Sequence, residues 1–160
     1  MPLVLDLLRH GAALPADHGG DDARPLSARG RTDLERLAAH LARMGWRPDR
    51  AFASPLLRAR ESAVIALREA APDLAAAPMP ALRPESDPAA VLEALAAAGC
   101  TRGHVLLVGH QPLLGLLGGV LAGGPSLAFP PGSLARIEFN GPLAAGAGTV
   151  GWKLAPGFPN

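Results

Sequence analysis

Short apolar runs and longer amphipathic stretches take turns along the 160-residue chain. Leu3–Leu8 and His104–Gly109 are nearly continuous apolar runs of strand length, which predicts two largely buried β-strands. Asp6 interrupts the first run, so we expect it to have a polar partner. From Ala28 to Met44, leucines and alanines recur at helical spacing behind Ser27, a candidate N-cap, which predicts an amphipathic helix.

The rest of the chain continues the alternation of strand and helix patterns. The further predicted strands are Ala51–Ser54, the proline-containing Pro78–Leu82, Leu134–Phe139 and Thr149–Leu154. The further predicted helices are Pro55–Ala71, Pro88–Ala98 and Pro112–Leu121. Strands that alternate with helices predict an α/β fold with a mostly parallel sheet. No linker divides the chain, so we expect residues 1–160 to form one domain.

Composition and charge narrow the classes of function. Hydrophobic residues make up 49% of the chain and charged residues 18%, which is typical of a packed globule and not of a disordered chain. Lys and Arg total 15 against 14 Asp and Glu, a formal net charge of +1. This balance argues against nucleic-acid binding through a large positive field. Any bound anion must therefore be held by a few local cations.

Cysteine usage and the apolar segments indicate the compartment. The chain has a single cysteine, Cys100, which excludes an internal disulfide framework and a zinc site built from several thiolates. Met1–Leu8 lacks the basic leader of a signal peptide, and glycines and a proline interrupt Val105–Ala122, so no membrane span is predicted. We therefore expect a cytoplasmic protein with no membrane partner.

Basic and imidazole side chains follow the predicted strands at the point where each strand ends. Arg9 and His10 follow the first strand, His110 follows His104–Gly109, and Arg58 stands in the first turn of the helix after the second strand. Ligands of α/β proteins bind beyond the carboxyl ends of parallel strands, so we expect these four side chains to converge. Guanidinium groups donate paired hydrogen bonds to phosphoryl oxygens. The sequence therefore predicts a site for a compact dianion.

A histidine among such cations can act as a nucleophile. A neutral imidazole attacks phosphorus near pH 7 and gives a phosphoenzyme that water cleaves. Neighbouring cations would stabilise the transferring oxygens and lower the imidazole pKa. A lone histidine is more often structural, and we assign that role to His104, which begins its strand at the opposite edge. His18, His40 and Arg60 are interpreted as surface residues.

Three blocks of sequence resemble those of the histidine phosphatase superfamily. They are, in chain order, Leu7-Leu8-Arg9-His10-Gly11, Ser54-Pro55-Leu56-Leu57-Arg58-Ala59 and Val108-Gly109-His110-Gln111-Pro112. The resemblance implies that His10 accepts the phosphoryl group and that Arg9, Arg58 and His110 hold the phosphate. It also implies a three-layer α/β/α sandwich of the phosphoglycerate mutase type, and a metal-independent phosphatase that needs no cofactor.

The small size of the chain is similar to that of the SixA-type phosphohistidine phosphatases within this superfamily. Arg24-Pro25-Leu26-Ser27-Ala28-Arg29-Gly30 resembles a segment of that branch and makes Arg24 a candidate substrate-binding residue. Ser133-Leu134-Ala135 resembles another segment of the branch. The branch implies hydrolysis of phosphohistidine on a partner protein, for example a phosphotransfer domain, through a phospho-His10 intermediate.

Mutases and many ester phosphatases of the superfamily carry an acidic proton donor in an insertion between the middle strands. The corresponding segment 81–88 is short here, and Glu85 is a candidate donor, while Asp87 is equally a candidate helix cap before Pro88. Imidazole is a less basic leaving group than an alkoxide, so a phosphohistidine substrate can dispense with a placed acid. Two alternatives stay open: a small-molecule phosphomonoesterase that uses Glu85, and a non-catalytic module that binds phosphorylated ligands.

Overall fold

The computed structural model describes residues 1–157, so the last three residues of the expected domain lie outside it. Within this range six strands form one sheet: β1 (Leu3–Arg9), β2 (Arg50–Ala53), β3 (Ala77–Pro78), β4 (Gly103–Gly109), β5 (Leu134–Phe139) and β6 (Gly148–Leu154). The α-helices of the same range are α1 (Ala28–Arg43), α2 (Leu57–Leu67), α3 (Pro88–Ala97) and α4 (Leu113–Ala122). Short 3₁₀ turns occur at Asp21–Ala23 and Pro80–Leu82.

The sheet has the strand order β3-β2-β4-β1-β5-β6. The pairs β2–β3, β2–β4 and β1–β4 are parallel, whereas β5 runs antiparallel to both β1 and β6. Helices α1 and α2 pack on one face of the sheet, and α3 and α4 pack on the other. The predicted three-layer α/β/α sandwich with a mostly parallel sheet is confirmed.

Alternate side chains of the central strands supply two hydrophobic cores. Leu5 and Leu7 pack with α3 and α4, whereas Leu8 packs with α1 and α2. Complete burial of one leucine side chain contributes about 2 kcal/mol, so the central strands are held firmly between the helices. The Ser27 hydroxyl accepts a hydrogen bond from the Gly30 N–H at 3.0 Å, which confirms the predicted cap of α1.

No helix within residues 1–157 has the length and apolar character needed to cross a membrane.

Two sequence predictions around β2 and β3 were wrong. The helix predicted from Pro55 begins at Leu57, because the Leu56 N–H turns back to the Ser54 hydroxyl at 3.3 Å and Leu56 is extended. It ends at Leu67 and not at Ala71, because the Arg68 N–H donates to the Ile65 carbonyl, three residues back, at 3.4 Å and so leaves the α-helical pattern. The strand predicted for Pro78–Leu82 is only Ala77–Pro78, followed by a 3₁₀ turn at Pro80, which has no N–H for a sheet.

The polar partner expected for Asp6 is a cluster of three side chains. Asp6 is fully buried and accepts hydrogen bonds from Trp46 at 2.6 Å and from Arg136 through both carboxylate oxygens at 2.9 Å. His104 lies against the same carboxylate. Burial alone would raise the pKa of Asp6, but the hydrogen bonds from Arg136 and His104 outweigh it and hold that pKa below its usual value. His104 therefore has the structural position predicted for it.

Candidate active site

The parallel pairing of β1 with β4 brings the two strand-end histidines together. Arg9 lies opposite Gly109 in the register, so the next residues along the two strands are His10 and His110. The His10 N–H donates to the Gly109 carbonyl at 3.0 Å, and the two imidazole ring centroids are 5.0 Å apart. The convergence predicted from the strand ends is therefore present for both imidazoles.

The hydrogen bonds around His10 fix which ring nitrogen carries the proton. Nδ1 lies 2.7 Å from the Gly11 carbonyl oxygen, which only accepts hydrogen bonds, so Nδ1 carries the proton and Nε2 is unprotonated. The Arg58 Nε donates toward this Nε2 at 3.4 Å. Burial, followed by the charges of Arg58, Arg9 and Arg24, lowers the pKa of His10 to about 4, although the Gly11 contact opposes the shift. At neutral pH the ring is therefore neutral, the form in which an imidazole can act as a nucleophile.

Arg58 reaches the imidazoles from the first turn of α2. Its side chain is almost fully buried, and besides His10 it meets Asp21, with Nη1 donating to the Asp21 carbonyl at 2.8 Å. Ser62 ties the turn to the loop after β1, since its hydroxyl donates to the Arg58 carbonyl at 2.7 Å and accepts from the Gly11 N–H at 3.0 Å. The Arg58 guanidinium and the His10 loop are thus positioned by one connected set of hydrogen bonds.

His110 is held by the end of β2. Its Nε2 lies 2.7 Å from the Ser54 hydroxyl, and its buried Nδ1 has no hydrogen-bond partner among residues 1–157. Burial, followed by the charges of His10 and Arg58, lowers the pKa of His110 to about 3. When Nε2 accepts a hydrogen bond from the Ser54 hydroxyl, the proton of the neutral ring lies on Nδ1. The Nδ1–H can then donate one hydrogen bond to an anion.

Arg9 and Arg24 add positive charge to the same end of the sheet. Arg9 donates from Nη1 to the Phe129 carbonyl at 2.7 Å, and its buried Nε has no partner within the described residues. Arg24 donates to the Leu14 carbonyl at 2.7 Å and to Asp21 at 3.1 Å. Both cations contribute to the lowered pKa of His10, so both lie within electrostatic reach of its ring.

Comparison with known proteins identifies the relatives of this chain. The sequence profile of the histidine phosphatase superfamily (branch 1) matches residues 5–83. An uncharacterized protein of Picosynechococcus sp. is 37% identical over 117 residues, which cover 71% of this chain and 69% of that protein. The chain belongs to the histidine phosphatase superfamily. This membership supports phosphatase function here.

Solved structures of histidine phosphatases share the fold over nearly the whole chain. The protein histidine phosphatase SixA in complex with tungstate is 28% identical with a TM-score of 0.78, covering 96% of this chain and 97% of its own. The Agrobacterium tumefaciens protein assigned as a phosphohistidine phosphatase SixA is 26% identical with a TM-score of 0.81, covering 98% and 99%. A mycobacterial glucosyl-3-phosphoglycerate phosphatase, 18% identical with a TM-score of 0.71 and covering 94% and 98%, shares the fold.

Glu85, the candidate proton donor of this histidine phosphatase, has an arginine partner. Its carboxylate accepts from Arg83 at 2.6 Å, and Arg83 also donates to Asp22 at 3.0 Å. The hydrogen bond from Arg83 holds the pKa of Glu85 below its usual value, so the group carries no proton to donate at neutral pH. Asp87 caps α3 instead, accepting from the Ala90 N–H at 2.9 Å. The structure therefore does not favour Glu85 as the acid.

Sequence reasoning missed three contributors to the site. Asp21 lies in a glycine- and aspartate-rich loop without periodicity, and nothing in that loop marked it as a partner of Arg58. Ser54 stood inside a quoted block, but its contact with His110 depends on the alignment of β2 with β4. Ser133 has a positioning contact, because its carbonyl accepts from the Arg9 N–H at 3.0 Å. Only Ser54 and Ser133 had a sequence signal, which was the resemblance itself.

Proposed function

We propose that this protein is a phosphohistidine phosphatase that removes phosphate from a phosphoprotein through a covalent phospho-His10 intermediate. The observation that carries the proposal is the state of the His10 ring. Its Nδ1 proton is held by the Gly11 carbonyl, and its unprotonated Nε2 lies beside the Arg58 guanidinium. An unprotonated nucleophile with a cation beside it, placed to bind the phosphoryl oxygens, is what transfer of an anionic group requires.

In the first step, the phosphoryl group lies among Arg9, Arg58 and Arg24, which neutralise its oxygens. The neutral His110 ring donates a hydrogen bond to the same group. The His10 Nε2 lone pair forms a bond to phosphorus, while the bond between phosphorus and the substrate imidazole nitrogen breaks with its electron pair. A substrate imidazole that carries a proton on its other nitrogen leaves as neutral imidazole. Positioning and charge stabilisation supply most of the catalysis in such a transfer.

In the second step, a water molecule attacks the phosphorus of phospho-His10. The bond to Nε2 breaks, its electron pair returns to the imidazole, and the water protons are shared between inorganic phosphate and solvent. Arg58 lies beside Nε2 in both steps. The cation that stabilises the phosphoryl oxygens during attack by His10 therefore also stabilises them when the bond between phosphorus and Nε2 breaks. The cycle ends with His10 neutral and inorganic phosphate released.

The choice of a phosphohistidine over a phosphoester rests on the leaving group. Ester cleavage produces a strongly basic alkoxide and gains much from a placed acid. Glu85 is ion-paired with Arg83 and its side chain is 66% exposed, so the structure offers no protonated carboxyl at that position. The likeness to the two SixA proteins supports the same choice. On this proposal, the partner of the present protein is a phosphohistidine-bearing protein such as a phosphotransfer domain.

A panel of substrates tests this function. We expect the full chain to hydrolyse a phosphohistidine-bearing phosphotransfer domain with a kcat/KM at least about a hundredfold above that for a phosphoserine peptide or p-nitrophenyl phosphate. The variant Glu85→Gln is expected to keep phosphohistidine activity within about twofold. Faster turnover of small phosphoesters, lost in Glu85→Gln, would instead establish the phosphomonoesterase. Phosphate binding without hydrolysis of any substrate would establish the binding module.

A further inference from the structure

Asp21 is a carboxylate inside the phosphate site that the two steps above do not use. Its Oδ2 lies 3.2 Å from Nη2 of Arg58, and its Oδ1 lies 3.1 Å from Nη1 of Arg24. The side chain is 56% exposed, so water and salt reach it. Two of the cations assigned to the substrate phosphoryl group therefore already share an internal anion.

The charge of Asp21 extends to the atoms that would surround a bound phosphate. Burial lowers the pKa of His110 most, and His10, Arg58 and Arg9 lower it further, whereas the Asp21 carboxylate acts in the opposite direction. The neighbouring Asp22 is directed elsewhere, to Arg83 at 3.0 Å. Of these two adjacent acids, Asp21 is the one whose field acts on the site.

We propose that Asp21 is a specificity-determining residue that weakens the hold of the site on free phosphate. This inference rests on the proposed function for the assignment of Arg58 and His110 as phosphate ligands. The Asp21 carboxylate repels a dianion bound beside it. The carboxylate also competes with the dianion for the N–H donors of Arg58 and Arg24. A protein substrate offsets this repulsion through contacts of its surface, whereas the inorganic product has no such contacts. Asp21 thus favours release of the product and disfavours occupation by cellular phosphate.

Binding of inorganic phosphate to the full chain at low ionic strength tests the proposal without any turnover. Asp21→Asn removes the charge and keeps an oxygen that accepts from Arg58, and the backbone contact of residue 21 is unaffected. We expect its phosphate Kd to fall about fivefold, with a smaller change at high salt because screening weakens the repulsion. Asp21→Ser, a second neutral variant, should shift in the same direction. Asp22→Asn, the matched control, should keep the wild-type Kd.

Inhibition by phosphate during phosphohistidine hydrolysis provides the second readout. The Asp21→Asn variant should be inhibited at about fivefold lower phosphate concentration than the wild type. Unchanged or weaker phosphate binding in both folded neutral variants would overturn the proposal and leave Asp21 as a residue that only holds Arg58 in place. Absence of phosphate binding in the wild type and in both neutral variants would overturn the proposed function as well. Tighter binding without any phosphoenzyme would overturn the proposed function alone.

Discussion

The proton on Nδ1 of His10 and the lone pair on Nε2 follow from one backbone carbonyl, that of Gly11. The same turn joins the nucleophile to Arg58 through Ser62, so the reactive atom and the principal cation are positioned together. The sequence alone indicated the identities of His10 and Arg58, because both stand at predicted element ends. It could not indicate the tautomer, which depends on a 2.7 Å contact within a loop.

Replacing Arg58 tests whether its planar guanidinium is needed at the site. Arg58→Ala should lower kcat/KM by about a thousandfold, since a preorganised charged donor is lost from a buried site. Arg58→Lys should recover only part of this loss, because an ammonium cannot donate two parallel hydrogen bonds. Arg60→Lys is the matched control, since Arg60 is exposed and donates to the Pro55 carbonyl. Full activity in Arg58→Lys would contradict the bidentate role.

The lowered pKa values of the two buried histidines predict a pH dependence of stability. In the native state the pKa of His10 is about 4 and that of His110 about 3, against about 6.5 in the unfolded chain. Below pH 6.5 the unfolded state binds more protons, so the free energy of unfolding should fall as pH is lowered from 6.5 to 4.5. Each imidazole contributes about 1 kcal/mol per pH unit. Urea unfolding at several pH values measures this slope.

A double variant, His10→Gln with His110→Gln, is the control for that slope. It removes both buried imidazoles, so its unfolding free energy should vary much less between pH 6.5 and 4.5. The carboxylates of Asp6, Asp21 and Glu85 have lowered pKa values in the native state, so their own loss of stabilisation falls mainly below this window, as pH passes through the ordinary carboxyl pKa of about 4. An equal slope in wild type and double variant would show that these imidazoles are not the titrating groups.

At the scale of elements, α1 supports the loop that carries the nucleophile. Gly30, in the first turn of α1, lies so close to the chain at Ala12 that an added Cβ would sit 2.1 Å from the Ala12 carbonyl oxygen. The helix can approach the loop after β1 only because this residue has no side chain. The periodicity of α1 predicted its buried face, but the need for glycine depends on a contact 18 residues away in the chain and was not predictable.

Substituting this glycine tests the support that α1 gives to the active-site loop. Gly30→Ala should lower the free energy of unfolding by about 2 kcal/mol, because the backbone at Ala12 must shift to avoid the new methyl group. The shift should also lower kcat, since Ala12 follows His10 and Gly11 directly. Gly141→Ala is the control, as its added Cβ would meet nothing within 4 Å. Chemical denaturation and kcat for both variants give the answer, and a fully stable, active Gly30→Ala would refute the idea.

At the scale of the whole molecule, the parallel order of the central strands explains why four distant side chains meet. Strand alternation predicted the sheet, and strand ends predicted His10, His110, Arg9 and Arg58, because parallel strands end at one edge. The segments between the elements were harder to predict. Asp21 and the arginine partner of Glu85 belong to loops whose conformation depends on contacts across the molecule. The strand predicted for Pro78–Leu82 failed for a local reason, since Pro80 has no N–H to donate to the sheet.

The charged groups of the molecule predict activity without a metal ion. Among residues 1–157 no group of three or more His, Cys, Asp or Glu side chains is arranged to hold a metal ion, and arginines supply the positive charge. Phosphohistidine hydrolysis should therefore be unchanged, within about twofold, after treatment with excess EDTA and gel filtration into chelator-treated buffer. Loss of activity that returns with an added divalent cation would contradict this expectation.

Direct detection of the phosphoenzyme tests the central claim. The full chain is mixed with a ³²P-labelled phosphohistidine phosphotransfer domain and quenched in alkali, in which phosphohistidine is stable, and the label is mapped by mass spectrometry. We expect transient phosphate on His10 of the wild type and none on the His10→Ala variant, while His40→Ala is labelled like the wild type. Hydrolysis by His10→Ala at the wild-type rate, or a label on a different residue, would contradict the account.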